Sequence, residues 1–594
     1  MNGVRYTLRF PEPHTHYVDV SVTVPTGGRT EIELMMPVWT PGSYLVREFS
    51  RHVENVAAMA ADGPLPVGKT RKNRWVVEIP NPKSQTPNPT SQKPNPDDTE
   101  TVTVTYRVYG REMSVRTNWI ERDFALLNGA PTFMTVPELM SAPHQVLIEP
   151  ACGWMQSRTA LPSASGRSHH YVASSYDQLV DSPILLGNPS VYEFALDGKP
   201  HYLVNEGEAG VFDGARAVRD VERIVAEHRR MWGFLPYDRY FFLNVITEAG
   251  GGLEHAESTV LMTSRWTTRT RKAYLAWLGL VSHEFFHVWN VKRLRPAELG
   301  PFDYEREVHT RSLWVAEGIT EYYADLALHR AGLMTRDEYL EALSSKIEGV
   351  QTTPGREVQS LSLASFDAWI KLYRPDENSI NTSMSYYTKG AVVAFLLDAR
   401  IRSSTNGSLS LDDVMRGAYD QYSAERGFTS DQIQQAVERA VGTSLAEFWR
   451  DVVDGTTELD YSAALDTFGL RFKTAAPPPE GIRPWLGVGT RNDGGRLVVS
   501  QVRRDGPAHV AGLNVEDEIV AIDGFRVRAD RLDERLQQYR SGDIVTIVLA
   551  RRERLLTIEL TLATEPPREW RLEVLPTLSS SQADHLASWL KQDS

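Results

Sequence analysis

From residue 1 to about 200 the chain alternates apolar and polar positions. Val18, Val20, Val22 and Val24 are interleaved with polar residues, and Trp75-Val76-Val77 and Thr101-Val102-Thr103-Val104-Thr105-Tyr106 repeat the habit. A period of two predicts half-buried strands, hence a β-rich N-terminal domain over 1–200. Between the last two segments, residues 81–98 hold five prolines and no other apolar residue. Such a stretch has too little to bury to order itself, and is expected to be a mobile loop joining two paired strands. Near residue 214 the spacing turns helical, as in Ala215, Val218, Val221, Ile224 and Val225, and helices are expected to dominate to about 455. A spacer follows over 473–483 around Ala475-Ala476-Pro477-Pro478-Pro479, and short strands resume at Trp485, Arg496 and Ile544. The fold class is therefore multidomain α+β, with a helical body over 201–472, a small β-rich module over 484–565 and a C-terminal extension over 566–594. No fixed-period repeat points to a solenoid or propeller.

The 594-residue length exceeds what one hydrophobic core serves, which agrees with several domains. With 64 basic against 77 acidic residues the net charge is −13, which disfavours nucleic acid as a partner. Cys152 is the only cysteine, so no intrachain disulfide and no cysteine zinc cluster is available, and any metal must use histidines and carboxylates. No apolar run reaches the ~20 residues of a membrane-spanning helix, the stretch from Ala391 to Leu397 being stopped by Asp398. The N-terminus, Val4-Arg5-Tyr6-Thr7-Leu8-Arg9-Phe10, reads as a strand and not as a signal peptide. No membrane partner and a cytoplasmic address are expected.

The strongest chemical signal is His283-Glu284-Phe285-Phe286-His287, set in a segment where Tyr274, Leu278, Val281, Phe285 and Val288 step by four and three. On the helix that this spacing predicts, His283 and His287 lie one turn apart on one face, where both imidazoles can reach a single zinc ion. Glu284, beside them, can hold a water and take its proton. Leu313, Glu317, Glu321, Ala324 and Leu328 form a second helical stripe that puts two carboxylates on an apolar face, costly unless they are paired or bind metal. Glu317 is assigned as the third ligand of one zinc ion per chain. Glu321 is a candidate acceptor for the free ring N–H of a ligand histidine, or else an ordinary surface glutamate. Two histidines with one carboxylate also suit manganese, cobalt or iron, and the helical motif favours zinc. His14, His16, His169 and His170 lack carboxylate partners at ligand spacing and read as adventitious. Arg269, Arg271 and Lys272 read as a solvated basic face.

The motif at 283–287, followed by Trp314-Val315-Ala316-Glu317-Gly318 and Tyr322-Tyr323, is similar to gluzincin metallopeptidases. His287-Val288-Trp289-Asn290-Val291-Lys292-Arg293-Leu294-Arg295-Pro296 with Pro301-Phe302-Asp303-Tyr304 resembles the glycyl aminopeptidases among them. The resemblance implies a β N-terminal domain, a thermolysin-like catalytic domain and a C-terminal PDZ domain. It also gives meaning to Gly250-Gly251-Gly252-Leu253-Glu254-His255, which read bare is a glycine-rich turn. By likeness to the G-x-M-E-N strand of gluzincin aminopeptidases, Gly251 and Gly252 would lie along the substrate backbone and Glu254 would hold its α-amino group. His255 stands where those relatives have Asn, and its role is left open. Tyr386-Tyr387-Thr388-Lys389-Gly390 resembles a Y-x-K-G segment, which makes Tyr387 the donor to the oxyanion; the alternative is a core aromatic.

Pro484-Trp485-Leu486-Gly487-Val488-Gly489, Gly506-Pro507-Ala508-His509-Val510-Ala511-Gly512-Leu513 and Asp517-Glu518-Ile519-Val520-Ala521-Ile522-Asp523-Gly524 resemble a PDZ domain of the protease-associated type. The loop of Leu486, Gly487 and Val488 would then receive a peptide carboxylate and the adjoining strand edge a peptide strand. The alternative is a module that only packs on the catalytic domain. The expected function is a zinc aminopeptidase acting on peptides with a free N-terminus, by likeness those beginning with small residues such as Gly or Ala. An endopeptidase, in which Glu254 is structural, and a non-catalytic PDZ scaffold are the alternatives.

Overall fold

Strands β1 (Val4–Arg9), β2 (Tyr17–Pro25), β3 (Thr101–Tyr109) and β4 (His144–Glu149) form the middle of a seven-stranded sheet. Their alternation is realised in three dimensions. Val18, Val20, Val22 and Val24 are buried on one face, and Val22 stands opposite Val104 across the antiparallel β2–β3 pair. The computed structural model describes residues 3–80, 100–164, 166–473, 484–566 and 570–591. The proline-rich segment 81–98, and the 473–483 spacer beyond its first residue, lie outside the described residues. The strands flanking 81–98 are not paired with each other as expected: Arg74–Glu78 belongs to a three-stranded sheet with Glu31–Met35, whereas β3 belongs to the seven-stranded one. Both strands bury apolar alternate residues, so periodicity alone could not assign them to different sheets.

The chain divides into two compact units, 1–308 with 422–427, and 309–421 with 428–594. The first also contains a five-stranded sheet of β5 (Ser190–Leu196), β6 (Lys199–Glu206), β7 (Tyr240–Ile246), β8 (Gly251–Glu254) and β9 (Ser258–Thr263), in the order β5-β6-β7-β9-β8. The boundary expected at residue 200 thus falls inside β6 of the β5–β6 pair, and the helical body expected from 201 is interrupted by β7, β8 and β9. The reason is physical. β7 is buried at every position, so it reads as a continuous apolar run and not as an alternation. Helix α1 (Gly214–Trp232) connects β6 to β7, and α2 (Arg271–Phe286) follows β9. His228 of α1 and Ser282 of α2 are joined by a 3.0 Å hydrogen bond inside the core. Among the described residues antiparallel β8 is the edge strand of this sheet, paired on one side with β9.

In the second unit, α3 (Ile319–Arg330) and α4 (Arg336–Gln351) pack on α5 (Tyr386–Ser404), whose 391–397 stretch is entirely buried. After α6 (Ser462–Phe468) comes a module with its own sheet, β10 (Val488–Asp493), β11 (Arg496–Val502), β12 (Glu518–Ile522), β13 (Ile544–Arg551) and β14 (Arg554–Thr561), around its own core of Leu497, Val499, Ile519 and Ile547. The C-terminal segment is not a mere extension. β15 (Leu572–Val574) pairs with Leu470–Phe472, and α7 (Ser580–Trp589) stacks the fully buried Trp589 on Phe468 at 4.1 Å. Its indole N–H donates to the Tyr322 hydroxyl at 2.8 Å. Burying one such aromatic contributes about 1.5–3 kcal/mol towards holding the chain end on the helical body. Among the described residues no helix is long and apolar enough to cross a membrane.

Candidate metal centre

Helix α2 starts where the Thr270 hydroxyl accepts from the Ala273 amide, and it carries Tyr274, Leu278, Val281 and Phe285 into the core as the spacing predicts. Its last turn brings the buried His283 and His287 side by side, ring centroids 4.8 Å apart. The Nδ1 of His287 lies 2.8 Å from the Asn290 carbonyl. A carbonyl only accepts, so Nδ1 carries the proton and Nε2 keeps the lone pair that a metal needs. The fixed partner of this Nδ1 is therefore a main-chain carbonyl.

Ligand atoms of Glu254, Glu284 and His287, all buried, lie within 4.8 Å of one another. Edge strand β8 approaches α2 this closely because of its glycines. A Cβ on Gly252 would sit 2.5 Å from Cγ of Glu284 and nearer still to its carboxylate, and Gly251 has φ +120°, which other residues rarely adopt. Two imidazoles one helical turn apart, with acidic side chains beside them, form the kind of donor set that holds zinc, so the residues present fit such an ion.

The segment following β8 is fixed by a buried clamp that the sequence did not reveal. Lys292 Nζ donates to Asp181 Oδ1 at 2.6 Å, His255 Nδ1 lies 3.1 Å from the same oxygen, and the Ala256 amide donates to Oδ2 at 2.9 Å. Burial opposes the charge on Asp181, yet Lys292 and His255 hold its carboxyl far below the usual carboxylate range. The role left open for His255 is thus answered on one side of its ring: it ties the end of β8 to Asp181. Arg269, Arg271 and Lys272 are exposed.

The second unit carries Glu317, Glu321 and Tyr387. Trp314–Gly318 forms a π-helical turn, closed by a hydrogen bond from the Ile319 amide to the Trp314 carbonyl. Glu317 lies in this wide turn, a feature often found at functional sites. Glu317 is buried, whereas the half-buried Glu321 pairs with Lys346 at 2.8 Å. Asp325 binds the same ammonium at 2.7 Å, and the two carboxylates raise the Lys346 pKa against the opposing effect of burial. Gly318 and Gly390 meet α-carbon to α-carbon, since a Cβ on either would lie under 3 Å from the other residue's Cα. This contact seats the Glu317 turn on the first turn of α5, which bears Tyr387. Tyr387 stacks on Tyr386 and its hydroxyl lies 3.5 Å from that of Tyr373. Burial first, then the Glu317 carboxylate, push the Tyr387 pKa well above that of a free phenol, so it remains an O–H donor near neutral pH.

In the C-terminal module Leu486 is buried in the core, and Gly487, at φ +76°, accepts from the Arg503 amide at 2.9 Å through its carbonyl. Val488 begins β10, an edge strand of the module's sheet. The module is also held to the helical body, because Asn381 donates to the Val502 carbonyl at 2.8 Å and accepts from the Arg504 amide at 2.9 Å.

Residues 276–393 match the family model of the M61 glycyl aminopeptidases, 5–188 that of the peptidase M61 N-terminal domain and 484–562 that of the PDZ domain. The chain is similar to a solved structure described as an aminopeptidase N family protein from Idiomarina loihiensis, at 30% identity and a TM-score of 0.89, covering 99% of this chain and 100% of that one. No curated protein matches it.

Proposed function

The chain belongs to the M61 glycyl aminopeptidase family and is a peptidase, and from that premise we propose that it is a zinc-dependent aminopeptidase removing small N-terminal residues such as Gly or Ala. The observation that carries the reading is the convergence of Glu254, Glu284 and His287 where edge strand β8 meets α2. His283, His287 and Glu317 would hold the ion. When bound, it supplies Lewis acidity, polarising a peptide carbonyl and lowering the pKa of water. Glu284 then takes the proton of the attacking water and returns it to the leaving amine. Tyr387 donates a hydrogen bond to the oxygen on which negative charge grows. Glu254 accepts from the substrate ammonium and so fixes the scissile bond one residue from the N-terminus. The PDZ domain provides β10 as an edge on which a peptide could add as a strand, with the Leu486-Gly487-Val488 turn at its carboxylate.

Metal dependence has a direct check. Dialysis against a chelator is expected to abolish hydrolysis of glycine p-nitroanilide, and one equivalent of zinc per chain is expected to restore it. Full activity in the apo-protein would contradict the proposed role of the ion.

A further inference from the structure

Glu254 does not face open space on all sides. In the first unit its carboxylate borders a cavity of about 20 Å³ that is also lined by Trp39, Gly42, Tyr44, Leu299 and Phe302. Trp39 to Tyr44 form a turn of the N-terminal β region, closed by the Ser43 amide donating to the Thr40 carbonyl at 3.1 Å. The turn is held firmly: the Trp39 indole donates to the Asp303 carbonyl at 2.7 Å, its ring meets Phe302 edge-on, and the Val38 amide donates to the Tyr304 carbonyl at 2.8 Å. Gly42, at φ +86°, rests against the carboxylate itself, since a Cβ there would lie 2.7 Å from Oε2 and closer to Oε1. A space of this size holds about one water-sized group. Lys292 and Arg295 also border it, the Lys292 ammonium being held by Asp181, and Glu254 is the one acid among the lining residues, so an ammonium group there would find its counter-charge on Glu254.

We infer that the Trp39–Tyr44 turn is part of the amine-recognition site, closing over Glu254 so that it admits an unsubstituted ammonium group and rejects N-alkylated termini. This rests on the reading of Glu254 as the amine anchor. Glycyl peptides fit, whereas those beginning with an N-methyl residue or with proline carry carbon where the cavity has no room. Gly42 is thereby a specificity-determining residue, contributed by a domain that carries none of the proposed metal ligands.

The test compares glycine, sarcosine and N-acetylglycine p-nitroanilides with the zinc-loaded full chain. The wild type is expected to cleave the sarcosyl substrate about 10- to 200-fold less efficiently than the glycyl one, the usual range for one methyl group without space. Leu299→Ala, which widens the cavity, is expected to narrow that ratio several-fold, and Phe302→Leu provides a second widening if the first variant folds poorly. Sarcosyl cleavage within threefold of glycyl cleavage, with the acetylated substrate refused, would overturn the enclosure and leave the amine anchor standing. Equal cleavage of the acetylated substrate would overturn the anchor and the enclosure together.

Discussion

Glu284→Gln is expected to lower kcat about 10²- to 10⁴-fold, the usual contribution of a positioned general base and equal to about 3–5 kcal/mol. Glutamine has the same shape, so it fits against Gly252 as the glutamate does and leaves the helix packing intact. What it lacks is the ability to take a proton from water and give it to the leaving amine. Metal content and thermal midpoint are therefore expected to stay at wild-type values. Steady-state kinetics alongside metal analysis check this, and a variant with more than a tenth of wild-type kcat would remove Glu284 from the chemistry.

Tyr387→Phe is expected to lower kcat about 10²- to 10³-fold with KM nearly unchanged, because the lost hydrogen bond is made only as charge develops in the transition state. The substitution keeps the ring that stacks on Tyr386 and removes only the hydroxyl. A tyrosine serving just as a core aromatic would tolerate it. The raised pKa, caused by burial and by the Glu317 carboxylate, keeps the hydroxyl protonated, so no alkaline loss from its own ionisation is expected near neutral pH. Wild-type kcat in this variant would return Tyr387 to the core.

The features legible in the sequence were those fixed by local periodicity. The α2 stripe from Tyr274 to Phe285 and the His283–His287 spacing depend only on 3.6 residues per turn, and they hold in the structure. The alternation at Val18–Val24 is equally local. What escaped was set by contacts between distant segments. Lys292 meets Asp181 across 111 positions and Trp589 meets Tyr322 across 267, and neither residue carries a mark of its partner in its own neighbourhood. Thr40-Pro41-Gly42-Ser43 carries a visible turn signal, but nothing along the chain ties that turn to Glu254. Glu321 shows the same limit, since nothing in its own stripe marks Lys346 as a partner of its carboxylate.

In the proposed function the Glu254 carboxylate on β8 makes this peptidase count from the N-terminus. This role is tested most directly by hydrolysis of alanine p-nitroanilide, free and N-acetylated, by the wild type and Glu254→Ala, with zinc content confirmed in both. Cleavage of the free-amine substrate alone, falling about 10-fold or more in kcat/KM when Glu254 is removed, is the predicted result. Equal cleavage of both substrates by the wild type would contradict it and identify an endopeptidase in which Glu254 is structural.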